Sequence, residues 1–420
     1  EVGGFDAEFE GSQDWDLVLK VTERARAVAH VPRILYHWRM LETSAAGGGE
    51  AAKPYAFEAA VRAVQAHCDR IGLPAKVERD AADPGVLHLE QKLREKPLVS
   101  IVIPTAGTRR EVRFEDVKSV LSENDSPDIP FDRSPNPYRG CEHGCIYCFA
   151  RPTHSYLNLS PGLDFETKLI AKRNIAEVLR AELARKSYRP SHLAIGTATD
   201  CYQPIERELR LTRSVLEVLR EARHPFGIVT KSSAVEQDLD LLAPMAADRL
   251  AAVYVTVTTL DGDLARKLEP RAAAPHRRLR TIRTLAEAGV PVGVSVAPQI
   301  PFVTEDMEQV LEAAWDAGAR CAFYTVVRLP WEVAPLFKEW LELHYPQRAG
   351  RIMARIREMR GGKDYDADFA TRMKGSGLWA DLIRQRFEKA TIRIGFNRQR
   401  IALDLGAFRP PGVAGQGSLF

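Results

Sequence analysis

Between His192 and Leu329 the chain alternates short apolar runs with longer amphipathic stretches, and this alternation narrows the fold more than any other feature. The apolar runs are His192–Thr199, Phe226–Lys231, Ala252–Leu260, Val292–Ile300 and Cys321–Leu329. Helical periodicity occupies about Thr167–Lys186, Ile205–Arg223, Val235–Ala247, Pro275–Ala288, Thr304–Ala317 and Val333–His344, with stops at Gly289 and Gly318. Strand-length runs separated by helices of this size predict a parallel sheet. The proline-punctuated approach Asp125–Gly140 counts as a first strand, which brings the total to six β/α units. Six is too few for a closed eight-stranded barrel. Functional groups are expected at the C-terminal ends of such strands.

The loop that follows the first of these units reads Cys141-Glu142-His143-Gly144-Cys145-Ile146-Tyr147-Cys148. Three thiols this close together can converge on one metal centre. Iron–sulfur clusters usually take four thiolates, so three leave one iron open to a small molecule. Tyr147 offers a flat surface for a ligand base. A zinc site is the other reading, with His143 or His154 as fourth ligand. The remaining cysteines, Cys68, Cys201 and Cys321, are single and scattered. Six cysteines in 420 residues make no disulfide scaffold, so a reducing cytoplasm is expected. No apolar run approaches the roughly 20 residues that span a bilayer.

The C-x3-C-x2-C spacing with an aromatic before the third cysteine resembles the signature of the radical S-adenosylmethionine (SAM) enzymes. That resemblance implies a partial (β/α)6 barrel, a [4Fe–4S] cluster on Cys141, Cys145 and Cys148, and SAM on the open iron. It also implies an electron donor of flavodoxin or ferredoxin type. His143 and Arg139 would lie near the cluster. Thr197, Thr199 and Asp200, at the end of the second strand, stand where the family binds the SAM amino group. Lys231, emerging from an apolar strand, would meet the SAM carboxylate, because a lysine there is costly unless paired. Thr256 and Thr258 are candidates for the ribose, and Glu269 and Arg271 for a polar pair beside the site. Within the family, Asn136–Cys141, Thr230-Lys231-Ser232 and Glu269-Pro270-Arg271 resemble the spore photoproduct lyase and DNA-repair photolyase-like group, over about residues 124–420. That group's lyase returns hydrogen from a cysteine after the second strand. Cys201 lies near this place, either as a hydrogen donor or as a small buried residue.

The first hundred residues read differently. Gly3–Asp6, Gly11–Leu17 and His30–Arg39 resemble the tail half of a family 2 glycosyltransferase domain, with Asp14 and Asp16 in the slot of its acceptor base. Tyr55–Ile71 has helical periodicity, and Pro97–Thr105 resembles the opening strand of a second such domain. The nucleotide-sugar half is missing, so glycosyl transfer is not expected. The expected organisation is therefore an incomplete α/β glycosyltransferase-like remnant at 1–105, a junction at 106–123 and the partial barrel at 124–345. A basic helical extension (346–410) and a flexible tail (411–420) follow.

Between Gln347 and Pro410 there are fifteen Lys/Arg against seven Asp/Glu, a patch that either meets phosphates or is an ordinary solvated surface. Gln416–Phe420 resembles the peptide with which bacterial repair proteins dock on the sliding clamp. Together these readings predict an enzyme that cleaves SAM reductively and starts radical chemistry, with DNA as the expected substrate. The alternative is a zinc-stabilised nucleic-acid-binding module without catalysis.

Overall fold

A computed structural model describes residues 2–27, 54–79, 87–91 and 110–412. The chain divides into two compact units, Glu1–Pro104 and Thr105–Phe420. In the first unit, helices α1 (Gln13–Arg24) and α2 (Pro54–Arg70) pack together beside an antiparallel pair, β1 (Ala75–Arg79) and β2 (Leu87–Gln91). Ser12 donates its hydroxyl to the Ala56 carbonyl at 2.6 Å. Asp16 is fully buried and pairs with Lys20 at 2.6 Å and Arg70 at 3.4 Å. Its carboxylate is thus tied into the packing of the unit, whereas the resemblance would have it act on a sugar. His30–Arg39, Gly47–Gly49 and Pro97–Thr105 lie outside the described residues.

The second unit is an α/β structure built on a parallel sheet. Its strands are β4 (Leu121–Glu123), β5 (Arg133–Pro135), β8 (Leu193–Ile195), β9 (Phe226–Thr230), β10 (Ala251–Thr256), β11 (Val292–Gln299) and β12 (Cys321–Val326). From β5 to β12 the neighbours run parallel in sequence order, while β4 lies antiparallel on the outer side of β5. Six parallel strands and two free edges make an open sheet. The approach to the cysteines does supply the first parallel strand. Buried positions run almost unbroken through β10 and β11, as expected of strands covered on both faces. Helices α4 (Ile175–Leu183), α6 (Leu211–Glu221), α7 (Leu239–Ala247), α9 (Pro275–Glu287) and α10 (Met307–Asp316) share one apolar core with these strands.

Three sequence expectations change. The helix foreseen over Thr167–Lys186 begins only at Ile175, because Lys168–Lys172 forms β7. That strand pairs with β3 (Glu111–Glu115) and β6 (Tyr138–Arg139), and its Leu169 and Ala171 are buried. Strand pairing there outweighs the helical period of the flanking residues. The helix foreseen over Ile205–Arg223 is split at Arg210, whose φ is +52°, into α5 (Glu206–Leu209) and α6. The run His192–Thr199 stops as a strand at Ile195, since Gly196 turns away with φ +84°.

The C-terminal helices α12 (Ala349–Glu358) and α13 (Gly377–Ile394) pack against this unit, α13 through Phe387 on Tyr324 at 4.7 Å. Part of the basic excess of this region is taken up by ion pairs. Arg372 grips Asp128, Arg386 grips Glu308, Arg393 grips Glu312 and Arg357 grips Asp364. These four arginines are therefore paired within the protein surface. Gly361 and Gly362 close α12, with the Gly362 N–H donating to the Arg357 carbonyl at 2.8 Å, so the Gly-Gly-Lys sequence is a turn.

A Cβ on Gly196 would collide with the Val229 carbonyl and reach 3.3 Å from Cys201 Sγ, at a backbone angle that disfavours side chains. Gly196→Ala is expected to cost about 2 kcal/mol or more. Thermal unfolding should shift down by several degrees, and an unchanged melting temperature would contradict this packing.

Candidate functional site

The cysteine loop is held in place by its own backbone. The Cys141 N–H donates to the Phe165 carbonyl at 2.9 Å and the Ile146 N–H to the Leu268 carbonyl at 3.0 Å. Gln203 brackets the start of the loop, accepting from the Glu142 N–H at 2.8 Å and donating to the Gly140 carbonyl at 3.1 Å. Arg151, almost wholly buried, donates to the Cys145 carbonyl at 3.0 Å and to Glu166. Gly144 has φ +67°, and a Cβ there would overlap the Arg271 guanidinium. Glycine lets that arginine lie across the loop.

Cys141 and Cys145 are buried, and Cys148 is partly exposed. Burial pushes the Cys145 thiol up to about 12 and that of Cys141 well above its ordinary value, and the charge of Cys148 adds to both. The three thiols lie on one eight-residue loop. Among the described residues no three His, Cys, Asp or Glu side chains come together around a single ion. The histidines expected of a zinc site are engaged elsewhere. His143 Nδ1 faces Asp200 at 3.3 Å, and His154 Nε2 faces the Lys168 carbonyl at 2.9 Å. Three soft donors on one loop with no fourth protein ligand fit a cluster, which presents a wider face than one ion, and leave one iron free.

Behind Cys145 lies a fully satisfied buried ion pair. Glu269 accepts from the Tyr147 hydroxyl, from the Thr258 hydroxyl at 2.6 Å and from the Arg278 guanidinium. Arg278 also donates to the carbonyls of Ala273 at 2.6 Å and Thr256 at 3.1 Å. Burial alone would raise the Glu269 carboxyl, but Arg278 and Lys231, with the two hydroxyls, hold it down to about 2. The polar pair expected between Glu269 and Arg271 is thus Glu269 with Arg278. Arg271 lies outside it, donating to Glu166 and to the Glu142 carbonyl. The difference follows from the turn at Glu269–Arg271, which sends the two side chains to different surroundings, one wholly buried and one partly exposed.

Asp200 is the second hub. Its carboxylate accepts from the Tyr202 N–H at 2.9 Å, the Thr230 hydroxyl at 2.7 Å and the Lys231 N–H at 2.6 Å. Burial would raise it, but His143 and these donors hold it down to about 2. With His143 as the fourth neighbour its lone pairs are taken, so it joins the ends of β8 and β9 and has no free capacity for a SAM amino group. Thr199 donates to the Tyr138 carbonyl at 3.1 Å, and Thr197 shares a hydrogen bond with Ser134 at 2.7 Å. Thr256 is buried, its carbonyl capped by Arg278. Thr258 donates its hydroxyl to Glu269 and is thereby engaged.

Lys231 leaves the end of β9 with Nζ 5.9 Å from the Tyr147 ring centre. Burial would lower it, yet Cys145, Glu269 and Asp200 keep it above the ordinary lysine value. Arg139 turns away to Glu115 at 3.6 Å and is not beside the cysteines. Cys201 is fully enclosed in the apolar core, and burial pushes its thiol well up. This is the small-buried-residue case, which leaves the hydrogen-donor role without access.

Arg151, Glu166, Arg278 and Gln203 escaped the sequence reading. Their signals are slight: Arg278 stands in a helix rich in arginine, and only its complete burial marks it out. Removing the Glu269 charge by Glu269→Gln leaves Arg278 buried without a counter-ion, at an expected cost of about 3–5 kcal/mol. The carboxylate contributes fully above its ordinary 4.5, and its contribution is lost as pH falls toward about 2. Acid titration of stability should therefore be flatter below pH 4.5 in the variant than in the parent, and identical curves would contradict the pair.

Comparison with known proteins bears on the identity of this site. The model of the radical SAM superfamily matches residues 135–314. An uncharacterised protein of Mycobacterium tuberculosis is 35% identical over 254 residues, 59% of this chain and 74% of that protein. Crystal forms of spore photoproduct lyase, one with bound SAM (AdoMet) and a dinucleoside spore photoproduct, cover 67% of this chain and 79% of their own at 15% identity, with TM-score 0.45. An O-antigen biosynthesis protein of Myxococcus xanthus, RfbC, is 35% identical over 104 residues, 25% of this chain and 8% of that protein. With its three-cysteine loop set at the head of a parallel α/β sheet, the chain belongs to the radical SAM superfamily.

Proposed function

We propose that this radical SAM enzyme abstracts hydrogen from a nucleic-acid substrate, in the manner of the photolyase-like group. The observation that carries the reading is the cysteine loop, fastened to strand ends by Asp200 and Glu269 and braced by Arg151. Cys141, Cys145 and Cys148 would hold the [4Fe–4S] cluster of the family. Held there, the cluster would supply the electron for reductive cleavage of SAM to methionine and a 5′-deoxyadenosyl radical. The chain supplies position and electrostatics. Lys231, with no carboxylate within 4 Å among the described residues, offers its ammonium to the SAM carboxylate. Tyr147 stays protonated under burial and the influence of Glu269, so its ring is fixed as a wall beside Cys145. Asp200 and Glu269 act as positioning residues that keep His143, Lys231 and Tyr147 in place.

The nucleic-acid reading is supported by the motifs Asn136–Cys141, Thr230–Ser232 and Glu269–Arg271. Radical SAM enzymes need an electron donor, and we assign that part to a flavodoxin or ferredoxin. No described helix is long and apolar enough to cross a membrane. The proposed clamp-docking peptide Gln416–Phe420 lies outside the described residues. The first unit is read as glycosyltransferase-like.

Protein purified or reconstituted without oxygen should be brown, with about four irons per chain in keeping with a [4Fe–4S] cluster. On reduction with SAM it should release 5′-deoxyadenosine, and Cys145→Ala should abolish that release. A colourless protein that stays inactive after reconstitution would overturn the reading. Deleting Leu419 and Phe420 should abolish capture by the sliding clamp, and unchanged capture would reject that partner.

A further inference from the structure

Two guanidinium groups sit together at the C-terminal end of β12 with no carboxylate partner among the described residues. Arg328 follows that strand by two residues. Its Nε is buried without a hydrogen-bond partner, and its Nη1 reaches only the thioether of Met373 at 3.4 Å. The neighbouring carboxylate, Asp128, is taken by Arg372 through two bonds of 2.6 Å. Arg360 is 1% exposed and its Nε also lacks a partner. Its other nitrogens donate to the carbonyls of Val327 at 2.8 Å and Thr371 at 2.9 Å. Burial and the charge of Arg328 hold its guanidinium down to about 10. A buried guanidinium beside a second, half-buried one is costly, and with only Asp366 acting on Arg360 from a distance the pair favours a further anion.

The surroundings indicate which anion. The Arg328 guanidinium lies 4.8 Å from the ring centre of Phe149, the residue immediately after Cys148, and Phe149 remains 45% exposed. Trp331, three residues beyond Arg328, and Tyr156 are 69% and 82% exposed. Their segments are joined by the Ser155 hydroxyl donating to Glu332 at 3.1 Å. Exposed aromatic rings interleaved with an unpaired arginine suit a base that stacks and a phosphate that pairs. An acidic peptide would satisfy the charge and leave the rings unused.

We propose that Arg328 and Phe149, backed by Arg360, form the substrate subsite for an unpaired stretch of nucleic acid. A base stacks on Phe149 while the adjoining phosphate is held by Arg328, beside the cysteine loop. This rests on the nucleic-acid reading above and names the residues that would deliver it.

The test is fluorescence anisotropy of the full-length, cluster-loaded protein with labelled single-stranded DNA, the matching duplex and a polyglutamate peptide, over a salt series. Arg328→Gln is expected to weaken single-strand binding about tenfold and to reduce the salt slope by about 0.7. Phe149→Leu should weaken it by about 5- to 100-fold with the slope retained. Arg328→Lys should keep the slope but lose part of the affinity. Iron content and the visible spectrum verify that each variant is folded and loaded. Arg384→Gln, on a remote exposed pair with Asp381, serves as control and should bind as the parent does. If the parent binds single strands and the Arg328 and Phe149 variants bind equally well, the subsite is wrong and the nucleic-acid reading stands. If the parent binds neither DNA, or binds polyglutamate through Arg328 instead, both fall.

Discussion

The interaction on which the rest of the site depends is the buried pair of Glu269 and Arg278. An isolated carboxylate at that depth would be expensive, and an isolated guanidinium equally so. Together, with the hydroxyls of Tyr147 and Thr258 and the carbonyls of Ala273 and Thr256, they give every nitrogen and oxygen of the pair a partner. The pair joins the end of β10 and the start of α9 to the cysteine loop through one tyrosine. A network of this kind is rigid because each member is satisfied only in one arrangement. Rigidity there serves the chemistry, since three thiols on a loop can grip a cluster only if the loop does not have to be ordered at the moment of binding.

Asp200 does the same work from the other side. It fastens β8 to β9, and it holds His143 against the loop while the Lys231 side chain projects toward Tyr147. Two carboxylates, both held below their ordinary range, thus lie on either side of an ammonium that has no carboxylate within 4 Å among the described residues. The polar groups that sequence patterning assigned to ligands are for the most part the frame. Lys231 is the group left over.

How much was legible in the sequence follows from range. The six parallel strands, most helices and the three cysteines are local signals, carried by periodicity or by spacing within eight residues, and these were readable. The strand Lys168–Lys172 was not, since its neighbours in space come from residues 111–115 and 138–139. The partner of Glu269 was misassigned to Arg271 for the same reason: two residues of separation look closer than nine, but a turn and a helix start decide which arginine faces inward. Of the ion pairs in the basic C-terminal stretch, those of Arg372, Arg386 and Arg393 span dozens to hundreds of positions. Composition showed the excess of charge but carried no information about its partners. In the first unit the match of Asp16 to a catalytic slot was legible, whereas its burial against Lys20 and Arg70 was visible only in three dimensions.

The central claim is that three thiolates hold a cluster whose fourth iron is open to SAM. Electron paramagnetic resonance of the reduced, cluster-loaded protein with and without SAM tests it most directly. A [4Fe–4S] signal whose g-values shift when SAM is added is expected, because SAM would bind the iron that no cysteine holds. A cluster signal that SAM leaves unchanged would contradict it.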